Sequence, residues 1–533
     1  MKIRYLIFTL FIVIGLSGCK PSTQKVEFEF IGPKTELVTV GNYHQIRYVS
    51  DKSGSDTEGN GTISTPWKTI AHALRQISDA GADRQYAVLV AGAIYYHTPI
   101  KMKQHIHLFG GFDPASWQRN IKKYLTVLTG RGEHRVIIGS DFSRLDGFVI
   151  TDGQIRGKGA GMLCSGTSPV VTNNQFIKNK TLAPDPWRPQ FLHEIANDGG
   201  AIYVENGSAP IIENNIFINN STDIGRGAAI AFHSKSSGRI ANNVFMENKT
   251  GLRDSMRSSD GGAISVFKWS SPVVENNIIL NNEALNRNDA GGMFVALWSS
   301  PLISKNIFAG NRCGDDGGAL FVGGQEHRYD RSFDPMPGKE QFFVQIMDNV
   351  FIGNENPSKN SGAMRFTMES RGLFFNNIVA HNTGIYFQRC EVLIENNKIF
   401  DNFLCVETKK GLTQNIIRNN IMWGDFVEQT DAEVTNCTIL GGYKGKKNTS
   451  LPPKLVNDGF QFQADAVNFL PMHNLTSVFV SSETFQKNEL CNRVIWAGDK
   501  LGVISSNEAQ NINIWGDFTG QISFIVLPSY RLQ

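Results

Sequence analysis

The stretch GGAISVFKWSSPVVENNIILNN (residues 261–282) ends its first apolar run in a lysine and a tryptophan, Lys268 and Trp269. Trp298 holds the equivalent place before Ser-Ser-Pro one copy later, and Lys235 lies in the turn one copy earlier. An exposed indole face is a platform for a sugar ring, and a cation beside it binds a carboxylate or sulfate. Residues 323–341, GGQEHRYDRSFDPMPGKEQ, replace the same turn further on and add Glu326, His327, Arg328, Tyr329, Asp330 and Arg331. Elimination from a uronate needs a base for the α proton, a cation to quieten the carboxylate and an acid for the leaving oxygen. Lys268, His233 and His327 are the candidate bases, Arg365 and Arg328 the candidate cations, and Tyr329 the candidate acid. Trp269, Trp298, Lys235, Tyr203 and Arg328 are the candidate sugar contacts. Hydrolysis would instead need two carboxylates set apart across the bond, for which Glu205, Glu326 and Asp330 are available.

These residues ride on an internal repeat. Asn pairs fall at Asn173-Asn174, Asn214-Asn215, Asn242-Asn243, Asn276-Asn277, Asn376-Asn377, Asn396-Asn397 and Asn419-Asn420, with Lys305-Asn306 and Asp348-Asn349 as degenerate members. Successive second asparagines are 20 to 43 residues apart. The segments between are four to seven residues, β-branched or aromatic, bounded by Gly, Ser and Asn, and read as strands. One copy parses as strand AISVF, turn KWSS, strand PVVE, turn NN, strand IIL and a loop to the next glycine pair. A single coil cannot cover its own apolar face, so neighbours must stack on it. Asn tolerates the left-handed backbone of a tight bend, and its amide can bond the equivalent Asn one coil away. About ten coils at roughly 4.8 Å each predict a rod on the order of 50 Å.

GGA(I/L) followed by F-x-x-N, as in Phe217-Ile218-Asn219-Asn220 and Phe245-Met246-Glu247-Asn248, resembles the repeat of chlamydial polymorphic outer membrane proteins and of many secreted β-helix proteins. RYVSDKSGSDTEGNGTISTPWKTIAHAL (residues 47–74) resembles the N-terminal motif of pectin-lyase-like β-helix proteins. HLFGGFDPASWQRN (107–120) and RLDGFVITDG (144–153) are similar to segments that lead into such repeats. The likeness covers roughly residues 47–439. It implies an all-β chain, a right-handed parallel β-helix of about ten or more coils with a short C-terminal cap over the last open coil.

In that fold the GGAI strand floors a groove. Alternation then puts Ile202 and Val204 inward. Ala201, Tyr203, Glu205, Ala231, His233, Ser265, Phe267, Val295, Phe321, Arg365 and Tyr386 face outward. Such a floor does not resemble the aspartate rows of calcium-dependent pectate lyases, and the motifs of polygalacturonases and pectinesterases are missing. Asp198, Asp260, Asp289 and Asp316 precede their glycines on the opposite rim. Stacked carboxylates suit Ca²⁺, but Arg226, Arg257, Arg287 and Arg312 are interleaved and Asp-Gly is ordinary turn chemistry. No metal site is assigned there, and Ca²⁺ is the one cofactor the pattern leaves open. Trp187, Arg188, His193 and Glu194, in loop 180–198, overhang the same rim.

Lys2 and Arg4 precede an apolar run too short to span a bilayer, ending in Leu16-Ser17-Gly18-Cys19, which resembles a bacterial lipobox. Lipidation of Cys19 would tether the chain to a membrane. KPSTQKVE after it lacks an acidic run, which suits a periplasm-facing tether. The expected division is signal peptide 1–18, tether and first strand 19–45, lead-in and first coils 46–156, repeat-bearing helix 157–449 and a β-rich cap 450–533. A net charge of +3 over 533 residues argues against nucleic acid as a partner. Cys164, Cys313, Cys390, Cys405, Cys437 and Cys491 form no C-x-x-C pair, which removes zinc and thioredoxin-like chemistry. The sequence therefore points to an envelope lipoprotein whose groove binds an acidic polysaccharide, with cleavage, by lyase-like or hydrolase chemistry, left open. A non-catalytic adhesin or structural surface protein is the alternative.

Overall fold

A computed structural model describes residues 30–96, 99–183, 197–253, 258–324, 342–402, 404–407, 415–428 and 432–532. Parallel strands stack into sheets of 14, 13, 12 and six members, each strand pairing with its counterpart one coil away. The long sheets are the three faces of a β-helix. Helix Ile70–Gln76 closes its first coil, laying Ile70, Ala73 and Leu74 on strands Gln45–Val49 and Ile100–Lys101. The Thr69 hydroxyl caps this helix by accepting from the His72 N–H at 3.1 Å. The Asp56 carboxylate accepts from the Thr69 hydroxyl at 2.6 Å.

Three interior ladders hold the corners. The second Asn of each pair accepts from the backbone N–H and amide of its counterpart, from Asn174–Asn215 (3.1 Å between side chains) through to Asn397–Asn420 (3.0 Å). A parallel ladder runs five residues later through Asn179, Asn220, Asn248, Asn282, Asn311, Asn354, Asn382 and Asn402. Both ladders show the same coil lengths, 41, 28, 34, 29, 43, 28 and 20 residues. The residue before each ladder Asn takes the left-handed turn, as at Asn276 (φ 52) and Asn281 (φ 53). The third ladder explains the Ser/Pro turn: Ser236 and Ser270 N–H donate to the hydroxyls of Ser270 and Ser299 at 3.3 and 3.2 Å. Between the corners Phe176, Phe217 and Phe245 stack at 5.0 and 4.9 Å, the coil repeat itself. All six cysteines after Cys19 are buried free thiols.

Residues past 459 form a seven-stranded antiparallel sheet. They were expected to shield the last coil, but lie along the side of the helix. Val494, Leu501, Val503, Trp515, Leu527 and Tyr530 pack on outward residues of the 13-strand sheet, among them Ile216, Ile218, Met246, Leu280 and Ile307. Strands such as Ile216–Ile218 and Ile278–Leu280 are apolar on both faces, so both need cover. Gly310 and Gly353 admit the hairpin: a Cβ on Gly353 would stand 2.3 Å from Leu501 Cδ1. The last coil is closed by residues 443–449. Asn448 Oδ1 accepts from the Cys437 N–H at 3.0 Å and its amide donates to the Val434 carbonyl at 3.1 Å, as one more rung. Tyr443 packs against the core.

Candidate functional site

The 12-strand sheet carries the glycine-led strands, and its outer face is the expected groove floor. Register puts two rows of side chains there. One runs Leu163, Tyr203, Ala231, Ser265, Phe294, Phe321, Arg365, Tyr386 and Cys405. The other, two residues on, includes Ser165, Glu205, Phe267, Ala296, Gly323, Thr367, Gln388 and Glu407. Val295 is not in the outer row. It pairs with Val266 in the core, and Phe294 takes the outward place beside Ser265. Asp289 is followed by Ala290 before its glycine pair, so that pair sits one residue later than in GGAI, and a one-residue slip exchanges the faces.

The middle of this face is dry. Phe267, Phe294, Ala296, Leu297 and Phe321 form a buried cluster whose rings stack at 6.4 and 5.3 Å. Polar groups collect at either end. At the N-terminal end Tyr203 is fully buried and its hydroxyl accepts from Lys158 Nζ at 3.1 Å. Glu205 accepts from the Ser165 hydroxyl at 3.0 Å. Tyr203 is thus a packing residue and offers no face to a sugar. His233 lies between Tyr203 (6.3 Å) and Phe267 (5.4 Å). Burial, helped by Lys158, Arg226 and Lys268, pushes its imidazole down to about 3. So weak a base is poorly matched to taking a proton near neutral pH, which counts against His233 as general base.

The tryptophan platform is also revised. Lys235, Trp269 and Trp298 occupy equivalent places, the Lys235 N–H bonding the Lys268 carbonyl and the Trp269 N–H the Leu297 carbonyl. Each tryptophan is the second of two successive left-handed residues, as is Lys235 in its own coil. Trp298 is only 6% exposed, edge-on to Phe342 at 5.6 Å, within the main core. Trp269 is half-buried against that core, while Lys235 is exposed and Lys268 half-buried. Arg365 lies three strands along from the strand that ends at Lys268, a backbone separation of about 14 Å. His327, Arg328, Tyr329, Glu326, Asp330, Arg257, Cys19 and the 187–194 candidates lie outside the described residues.

The C-terminal end of the face holds a constellation that sequence reading missed. The Arg365 guanidinium lies 3.9 Å over the Tyr386 ring, donates to Gln388, and stands 3.8 Å from Asp316. The Tyr386 hydroxyl donates to Glu407, which also accepts from Gln388 Nε2 at 2.9 Å. Burial, followed by the bond to Glu407, pushes the Tyr386 phenol far above its ordinary range, so it stays a proton donor. Arg365 and Tyr386 were in the expected outer row, whereas Gln388 and Glu407 sit two residues past register positions in coils whose glycine pair has decayed. Counting by alternation from Arg365-Phe366-Thr367 would have found them.

On the opposite rim Asp198, Arg226, Asp260, Asp289 and Asp316 stack on successive rungs. Three of the carboxylates accept a neighbour's N–H: Arg226 on Asp198 (2.8 Å), Asp289 on Asp260 (2.9 Å), Asp316 on Asp289 (3.0 Å). Arg226 stands 3.7 Å from Asp198 and 3.9 Å from Asp260, as the neutralising reading expected. Arg312 instead pairs with Glu355 at 3.3 Å. Asp289, Asp315 and Asp316 bring carboxylate oxygens within 4.8 Å of one another. Burial and the Asp260 and Asp316 charges push the Asp289 carboxyl well above the usual range. The N–H bonds show a structural turn stack, and acidic oxygens alone do not define a Ca²⁺ site.

The stacked coils and parallel sheets make this a right-handed parallel β-helix, and the family model described as "Right handed beta helix region" matches residues 127–330. No characterised protein matches the chain by sequence. Among solved structures it is similar to a GH136 lacto-N-biosidase from Eubacterium ramulus, at 11% identity over 76% of this chain and 68% of the other, TM-score 0.31. It is similar at 11% identity to the mannuronan C-5 epimerase A-module of Azotobacter vinelandii, over 72% and 94%, TM-score 0.31. A tailspike protein of E. coli bacteriophage HK620, in complex with a pentasaccharide, matches at 10% identity over 86% and 89%, TM-score 0.32.

Proposed function

We propose that the protein is a lipid-anchored β-helix of the bacterial cell envelope that binds an acidic polysaccharide along the outer face of its 12-strand sheet. The observation that carries this reading is the partly buried cluster of Arg365, Tyr386, Gln388 and Glu407, in which the Arg365 side chain is 11% exposed. A guanidinium held flat on a ring presents a fixed edge of donors suited to a carboxylate. Planar acid and amide groups beside it match vicinal hydroxyls. Lys235 and Lys268, in the turn at one edge of this sheet, add positive charge toward the N-terminus. Binding is the reading these residues support: Lys268 and Arg365 are borne by strands about 14 Å apart, and the candidates His327, Arg328 and Tyr329 lie outside the described residues. The anchor at Cys19 and the periplasm-facing orientation belong to the same proposal and rest on the lipobox-like residues.

The test is titration of uronate-containing polysaccharides into the purified chain, while the absorbance of unsaturated uronate is followed. Saturable binding that falls at least tenfold in Arg365→Ala, with a flat absorbance trace, is the expected result. A rising trace would make the protein a lyase. No binding across the panel would favour the second reading, a non-catalytic structural or adhesive rod, for which the buried Phe267–Phe294–Phe321 middle of the face is the supporting observation.

A further inference from the structure

The docked C-terminal sheet leaves a cleft of about 460 Å³ beside the Leu501 contact, on a different side of the helix from the 12-strand face. One wall is the six-strand sheet, where Lys249, Glu283 and Arg312 are partners on successive rungs. Lys249 Nζ stands 3.0 Å from Glu283, and Arg312 is held by Glu355. The other wall belongs to the C-terminal sheet: Asp499, Lys500 and Asp517, with Lys500 Nζ donating to the Asp517 carbonyl at 2.9 Å. The two walls are tied where the Asn281 amide donates to the Leu501 carbonyl at 3.0 Å.

Charge order restricts what fits. With Glu247 beside Lys249, the helix wall alternates carboxylates and cations, and the other wall reads minus, plus, minus, so the two signs are interleaved throughout and an anion meets no net positive field. An apolar guest would strand these groups without water, and the one ring at the cleft, Phe518, is 2% exposed. A hydroxyl-bearing ring satisfies both signs, donating to carboxylates and accepting from ammonium groups. The volume lies within the range of small-molecule sites, which favour such junctions. We propose that this cleft is a second carbohydrate site that takes a neutral oligosaccharide, independent of acidic-polymer binding on the 12-strand face.

Calorimetric titration of the purified chain with cellohexaose, maltohexaose, xylohexaose and chitohexaose tests it. One of the four should bind, and Lys249→Ala combined with Asp499→Ala should weaken that binding at least tenfold. Both side chains are exposed, so the unfolding midpoint should not move. Arg365→Ala should leave oligosaccharide binding intact, which separates this site from the other face. Failure of all four sugars to bind, or full binding by the double variant, would overturn the proposal.

Discussion

Replacing Asn277 by Ala measures what the interior ladders contribute. Its Oδ1 accepts the Asn243 backbone N–H at 2.9 Å and the Asn243 amide at 3.0 Å. Its own amide donates to the Ile240 and Glu275 carbonyls and to Asn306 Oδ1, at 3.0, 2.9 and 2.9 Å. After substitution the Asn243 amide keeps the Ile212 carbonyl, and Asn306 Oδ1 keeps the Asn277 N–H. The Asn243 N–H and the Ile240 carbonyl lose their Asn277 partner in a site with no solvent access. At about 1–3 kcal/mol for each buried group left unmade, the cost is about 2–6 kcal/mol. The control is Asn276→Gly, one residue earlier. There φ is 52, glycine adopts that conformation freely, and the lost side-chain bond to Asn242 is partly exposed. Its cost should stay under about 1 kcal/mol. Urea unfolding followed by circular dichroism reads both as midpoint shifts, compared at similar slope. Equal shifts would refute the argument that the inner asparagine, rather than the turn before it, holds the coils together.

Asp289→Asn should raise the thermal midpoint at pH 7 and leave it little changed near pH 4. The folded carboxyl titrates above its unfolded value, so its contribution is present below about pH 4 and lost as pH rises through the folded pKa. His233 is depressed to about 3 by burial, so stability falls as pH drops below about 6.5, by up to about 1.4 kcal/mol per unit. His233→Phe should flatten that acid limb in a pH series of unfolding curves. A residual slope from His107, depressed to about 4 by burial, should persist. Leu501→Ala should loosen the C-terminal sheet by about 2–5 kcal/mol, read as faster proteolytic cutting near residues 450–458 with the β-helix fragment intact. Gly353→Leu should do the same by collision with Leu501.

The β-helix was legible because one pattern recurs: a glycine-led strand, a Ser turn and an Asn turn impose the same corners on every coil. What failed did so for local reasons. Val295 was placed outward by aligning glycine pairs, whereas the rung is set by the residue after the aspartate, as Gly261 N–H bonding the Asp289 carbonyl shows. Trp298 looked like a surface platform because it shares with Trp269 the turn position before Ser-Ser-Pro, yet it packs edge-on to Phe342 in the core. The side-docked sheet was announced by strands such as Ile278–Leu280, apolar on both faces, a signal that alternation alone does not weigh. Glu407 escaped notice because its coil has lost the glycine pair that marks register, and Gln388 because alternation was not carried two residues past Tyr386.

The paired asparagine ladders also act as a ruler. The interval from Asn174 to Asn179 recurs unchanged from Asn215 to Asn220 and from Asn306 to Asn311, although whole coils vary from 20 to 43 residues. All length variation is therefore expelled to the remainder of each turn. New loops can be spliced in there without disturbing the rungs above or below. The rod behaves as a chassis with standard mounting points, so its loops can change length while its framework stays fixed.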